Sequence, residues 1–204
     1  MKVAVLDHGM GNLRSVAKAL EAAGATVEVT SQQRAIQACD ALCVPGQGIF
    51  GRCMTNLGRL QLTEVVRAWV DEERPYLGIC LGMQVLFETS EEAADAPAAG
   101  DREGAAVAGG KQDGLGILGG EVRRLPGSVR VPHIGWNSVA GEYYYFDHSY
   151  AAFPTDGSIV TGWCDYGDRF AAEVRHGSIL GVQFHPEKSA RAGIELLETW
   201  VSAA

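Results

Sequence analysis

The chain has 204 residues, of which 47% are hydrophobic and 21% charged, with 26 glycines and a formal net charge of −8. This is the composition of a globular chain long enough to bury one sizeable core. The acidic balance and the lack of any Lys/Arg cluster argue against nucleic acid or an anionic membrane surface as the main partner. No apolar run approaches the ~18 residues of a membrane span. The first, residues 3–6, is too short for a signal peptide, so a cytoplasmic location is expected.

Residues 3–6 read as a short apolar strand ending in the turn Asp7-His8-Gly9-Met10-Gly11-Asn12. A helix follows, with Leu13, Val16, Ala17 and Leu20 at helical spacing and Gly24 closing it. The turn lacks the third glycine of a dinucleotide fingerprint, so no nucleotide site is assigned to it. Strands are expected at 26–29 and 41–44, the second cut by Pro45-Gly46-Gln47-Gly48. Leu62, Val65, Val66 and Trp69 share one face of a helix over 62–70. Pro75 precedes a buried strand at 76–79, and a further helix begins near Leu81. This alternation predicts a parallel sheet covered on both faces. Residues 93–110 are rich in Ala and Gly without periodicity and read as a surface loop within one domain. Strands at 120–125, 143–146, 158–163, 170–174 and 179–184 follow, then an amphipathic helix containing Ile194, Leu197, Trp200 and Val201. The expected fold is α/β: a single domain over 1–204, with a central mixed, largely parallel sheet flanked by helices.

Five cysteines (Cys39, Cys43, Cys53, Cys80, Cys164) are an odd number and form no Cys-x-x-Cys pair. That pattern suits neither a disulfide framework nor a zinc site, and no metal or cofactor is expected. Gly78-Ile79-Cys80-Leu81-Gly82 stands apart: it follows a buried strand and opens a helix, the pattern of a nucleophile elbow with Cys in place of Ser. A helix N-terminus there favours a thiolate. The competing reading is a core cysteine between packing glycines. A thiolate that expels a leaving group needs a proton donor, usually His. His185-Pro186-Glu187 ends the strand at 179–184, and Pro186 biases His185 towards an extended conformation. If the segment stays extended, residues 185 and 187 face one side, and the carboxylate can orient the imidazole. A plain strand end and turn is the competing reading. The N–H of Leu81 would be one oxyanion donor, and the junction at Pro45-Gly46-Gln47-Gly48 would supply another.

Gly-Ile-Cys-Leu-Gly-Met-Gln at 78–84, with His-Pro-Glu at 185–187, resembles the class I (triad) glutamine amidotransferases over nearly the whole chain. Further segments narrow the likeness: Gly9-Met10-Gly11-Asn12-Leu13-Arg14-Ser15-Val16, Val131-Pro132-His133-Ile134-Gly135-Trp136-Asn137, His148-Ser149-Tyr150, and Lys188-Ser189 after the His-Pro-Glu. They are similar to those of the glutaminase subunits of imidazole glycerol phosphate synthases. The resemblance implies a flavodoxin-like core and the catalytic triad Cys80, His185 and Glu187. Cys80 attacks the side-chain amide of L-glutamine, and the N–H groups of Leu81 and Gln47 hold the oxyanion. A glutamyl thioester forms and is hydrolysed, releasing glutamate and ammonia. Gly48, Gln84, Glu92, His148, Ser149 and Tyr150 are placed around the substrate's backbone end, Glu92 pairing with its α-ammonium. A solvated helix face is the competing reading of Gln84 and Glu92.

The resemblance further implies a heterodimer. Ammonia passes to a (β/α)8-barrel cyclase subunit that makes imidazole glycerol phosphate and aminoimidazole carboxamide ribonucleotide in L-histidine biosynthesis. Asn12, Trp136 and Lys188 match positions near that interface. Two features depart from the pattern: the segment 93–110 is longer, and Gln47 stands where Val is common. Rival readings are a glutaminase serving anthranilate or pyridoxal phosphate synthase, a γ-glutamyl peptide hydrolase, and an inactive interaction module. The Gly-Met-Gln after the elbow and the Trp136 segment weigh against the first, and the intact Cys80, His185 and Glu187 against the last.

Overall fold

The computed structural model describes residues 1–92 and 110–203. Of the loop expected at 93–110, all but Gly110 lies outside the described residues. The chain begins β1 (Lys2–Leu6), α1 (Leu13–Ala22), β2 (Thr26–Thr30), α2 (Gln33–Gln37), β3 (Ala41–Gly46), α3 (Phe50–Arg59), α4 (Thr63–Asp71) and β4 (Tyr76–Cys80). It continues with the single turn α5 (Leu81–Gln84), then β5 (Phe87–Ser90), β6 (Gln112–Asp113) and β7 (Leu118–Arg124). The remainder is β8 (His133–Val139), β9 (Glu142–His148), β10 (Tyr150–Pro154), β11 (Val160–Tyr166), β12 (Asp168–His176), β13 (Ile179–Val182) and α6 (Ala190–Ala203).

One sheet runs in the order β2-β1-β3-β4-β13-β12-β10-β7-β5-β6, with β11 on β12. The stretch from β2 to β13 is parallel, and the sheet turns antiparallel at β12. Strands β8 and β9 form a separate antiparallel ribbon. The inner parallel strands β1, β3, β4 and β13 are largely apolar because both their faces are covered, whereas the edge strand β2 carries Thr26, Glu28 and Thr30 and is partly exposed. Along β1, Ala4 and Leu6 join one core cluster and Val3 and Val5 the other; along β3, Leu42 and Val44 oppose Ala41 and Cys43. Helices α3 and α4 cover the first cluster with Phe50, Leu57, Val66 and Trp69. The second cluster is closed by Val16 and Leu20 of α1 and Leu197 and Trp200 of α6. Helix α1 begins where expected because the Asn12 side chain accepts from Ser15 N at 3.3 Å, satisfying one of the N–H groups left free in a first turn.

The helix expected from Leu81 is a correction. It stops at Gln84, and Phe87 starts strand β5 instead. The strands at 133–139 and 150–154 and the helices α2 and α3 were not anticipated. Among the described residues, no helix is long and apolar enough to cross a membrane.

Candidate active site

Strand β4 lies at the centre of the parallel stretch, paired with β3 on one side and β13 on the other. Its last residue, Cys80, adopts φ 52° and ψ −105°. A non-glycine residue in such a conformation is strained, and the strain projects the side chain off the sheet edge. Two glycines make the turn possible. A side chain on Gly82 would enter the space of Val44 O, and one on Gly78 would come within 2.6 Å of Gly82 O. The same Gly82 O accepts a hydrogen bond from the buried Tyr76 Oη at 2.8 Å. The elbow is therefore clamped from β3, from β4 and from within the turn.

His185 lies just beyond β13, extended at φ −103° and ψ 95°, but Pro186–Lys188 form a 3-10 turn. The expected extended His-Pro-Glu segment is thus replaced by a tight turn. The turn still brings the pair together: His185 Nδ1 donates to Glu187 Oε1 at 2.8 Å, with both side chains almost wholly buried. The turn is fixed from below by Gly193, where any side chain would collide with Pro186 O. Ser189 Oγ donates to His185 O at 2.6 Å and accepts from Tyr145 N at 2.9 Å. Burial alone would push the His185 imidazole towards neutrality. Its interactions with Cys80 and Glu187 outweigh burial and raise His185 to about 10. His185 Nε2 has no aligned hydrogen-bond partner among the described residues, so the coupling to Cys80 is mainly one of charge. The arrangement therefore favours the imidazolium form of His185 beside Cys80.

Cys80 opens into a cavity of about 310 Å³. Gln47, Gly48, Leu81, Gln84, Glu92, His148, Ser149 and Tyr150, all singled out in the sequence, line it together with Pro132 and Asp147, which were not. Gln84 is not on a solvated helix face: it is 3% exposed. Nor is Glu92 on a helix. It follows β5, and its Oε2 accepts from Phe50 N at 2.9 Å, at the N-terminus of α3. That end of the helix stabilises the carboxylate at the cavity edge. His148 is buried and donates from Nδ1 to Tyr150 O at 2.9 Å. Its Nε2 meets His133 Nδ1 at 3.0 Å. Burial keeps both imidazoles neutral, lowering His148 to about 3 and His133 to about 4. Held neutral and hydrogen-bonded, these two histidines act as supports of the cavity wall.

The loop after β3 runs beside the elbow, with Gly46 in register with Cys80. Gly11 packs against it, a side chain there coming within 3.5 Å of Gln47 N. His8, unremarkable in the sequence, is wholly buried and donates from Nε2 to Pro45 O at 2.7 Å. It therefore pins the start of this loop. Away from the cavity, Trp136 is 53% exposed and packs edge-on against Tyr145, while Lys188 bonds Asp147 at 3.2 Å. Asn12 is exposed beyond its capping bond. A second overlooked residue is Gln183, fully buried and 3.5 Å from Cys80 Sγ. Its signal was a lone amide in the apolar run 179–184, where a polar side chain needs partners.

The profile of the class-I glutamine amidotransferases matches residues 4–203. An imidazole glycerol phosphate synthase subunit HisH of Moorella thermoacetica is 42% identical, with 97% of this chain and 93% of that one aligned. One of Aquifex aeolicus is also 42% identical, over 98% and 96%. Among solved structures, a glutamine amidotransferase superposes with TM-score 0.73 at 21% identity, covering 99% of each chain. PurLQS from Thermotoga maritima does so at 0.70 and 15%, covering 99% of this chain and 96% of that one; at such identities these two speak to the fold alone. With the elbow, the buried His–Glu pair and relatives aligned from end to end, the chain belongs to the class-I glutamine amidotransferases, and within them to the HisH subunits of imidazole glycerol phosphate synthase.

Proposed function

We propose that the chain hydrolyses L-glutamine through a thioester on Cys80 and passes ammonia to a cyclase subunit. The observation that carries this reading is the buried His185–Glu187 contact beside the strained Cys80, which itself opens into a cavity also lined by Glu92. The thiolate of Cys80 bonds to the side-chain carbonyl carbon of glutamine, and the N–H groups of Leu81 and Gln47 receive the oxyanion. The C–N bond breaks as His185 gives its proton to the departing nitrogen, which leaves as ammonia. Water then gives a proton to His185 and its oxygen to the acyl carbon. The C–S bond breaks, glutamate leaves and the thiolate is restored. Glu187 holds the imidazole through Nδ1 and stabilises its charged form. Glu92 meets the α-ammonium, and Gly48, Gln84, His148, Ser149 and Tyr150 surround that end of the substrate.

Ammonia released into water would be protonated and lost, so a docked acceptor is required. The outer face of the β8–β9 ribbon supports such docking, with Ile134 58%, Trp136 53% and Tyr143 62% exposed. Large exposed apolar side chains in one patch mark an interaction surface. Asn12, Trp136 and Lys188 lie at this interface, and the partner is a (β/α)8-barrel cyclase. The complex works in the cytoplasm and needs no metal or cofactor for the glutaminase step. The test is covalent labelling by a glutamine-mimicking diazoketone. The label goes to Cys80 and free glutamine protects against it; label on another residue overturns the reading.

A further inference from the structure

Gln183 is wholly buried, one residue past β13, its N–H bonded to Ala172 O at 2.9 Å. Burying an amide among apolar neighbours costs free energy unless both its ends are paired. Both are: Oε1 accepts from Gln84 Nε2 at 3.0 Å, and Nε2 donates to Cys80 Sγ at 3.5 Å.

An amide's two ends are alike in shape, so only their partners decide which way it faces. Here a backbone carbonyl decides. Gln84 Nε2 also donates to Tyr150 O at 2.8 Å, and a carbonyl can only accept. The amino group of Gln84 must therefore face Tyr150 O. Its second hydrogen then meets the oxygen end of Gln183, which turns the Gln183 amino group onto the sulfur. His148 Nδ1 reaches the same Tyr150 O at 2.9 Å, so this carbonyl is held from two sides. Each amide thus donates to the next group along the line, Gln84 to Tyr150 O and Gln183 Oε1, and Gln183 to Cys80 Sγ.

We propose that Gln183 is a further catalytic residue, donating a hydrogen bond that stabilises and positions the Cys80 thiolate, and that Gln84 positions Gln183. A donor aimed at sulfur favours the anion over the neutral thiol. It serves the reaction twice, first when the free thiolate attacks and again when it departs from the thioester. Because both hydrogens of Gln84 are already engaged, its Oε1 is the part of that amide left to meet a substrate donor. Gln84 would then link substrate contact to the aim of the nucleophile.

The inference rests on Cys80 being the nucleophile, and the experiment separates the two. The rate of Cys80 alkylation by iodoacetamide is followed by mass spectrometry across the pH range, without glutamine, beside a thermal melt. Among the described residues, the other ionisable groups around the sulfur and its cavity are His185, Glu187, His148, Glu92, Asp147 and Tyr150, and none is altered. In Gln183→Met, which keeps the shape but removes the donor, the pH midpoint of alkylation rises by about one unit, the scale of a hydrogen bond to a charged group. Gln84→Met leaves Gln183 present but unaimed; it shifts the midpoint the same way by less, and it decides alone if Gln183→Met does not fold. A lowered melting temperature with unchanged midpoints makes Gln183 a packing residue and overturns the proposal. A Cys80 inert in the unaltered chain overturns the nucleophile reading itself.

Discussion

Replacing Tyr76 by Phe removes one oxygen from beneath the elbow. Position 76 has no exposure, and its Oη donates to Gly82 O at 2.8 Å. The turn itself offers no substitute donor, since Val85 N bonds Leu81 O and Leu86 N bonds Met83 O. Burial holds the phenol well above its usual range, so it remains a donor wherever the chain is folded. The ring of Phe fills the same space, so no large cavity contributes, and complete burial denies water a path to the carbonyl. What remains is a buried carbonyl without a partner, worth ~1–3 kcal/mol. Guanidinium melts should show the midpoint falling by that amount with the slope unchanged. A cost below ~0.5 kcal/mol, with undiminished glutamine turnover, would refute the view that this hydroxyl braces the elbow.

Cys80→Ala should abolish glutamine hydrolysis while the complex with its cyclase still turns over with free ammonia; loss of both activities in an assembled complex counts against the division of labour. Gln47→Pro removes a backbone N–H and should lower turnover by ~10²–10³-fold, whereas Gln47→Ala keeps the N–H and should cost much less. Equal turnover in the two variants would place the oxyanion donor elsewhere. His133 and His148 titrate near 6.5 when unfolded but are held neutral down to about 4 and about 3 in the fold. The unfolded chain therefore binds more protons below 6.5, and these groups make stability fall as pH drops from there towards 4. The slope is at most ~1.4 kcal/mol per unit for each, less for a coupled pair. Melts of the chain and of His133→Gln should differ in this window, and identical slopes would contradict the assignment.

The parallel half of the fold was legible because strands buried on both faces are apolar throughout, as at residues 3–6, 41–44 and 76–79. The elbow was legible for a related reason: Gly78 and Gly82 are required by contacts too close for any side chain. Less was visible where tertiary contacts override local pattern. The helix expected after Leu81 ends after one turn, and Phe87 pairs with Leu118 in the sheet. Strand β8 was missed because its inward face carries His133 and Asn137 where apolar residues are usual. The contact of Glu187 with His185 was expected, but by the wrong route, since the sequence does not reveal that Pro186 starts a 3-10 turn. The roles of His8 and Gln183 could not be read from the sequence for one common reason, although Gln183 stood out as a lone amide in an apolar run. A buried polar side chain takes its meaning from its partners, and those lie 37 residues away for His8 and 103 for Gln183.

The central claim is that Cys80 carries the glutamyl group. Acid-quenching the complex during turnover and mapping the adduct by mass spectrometry tests it most directly. A γ-glutamyl thioester should be found on the Cys80 peptide and nowhere else, and should be absent from Cys80→Ala. Full glutamine turnover with no adduct at Cys80, or undiminished hydrolysis by Cys80→Ala, would contradict the account.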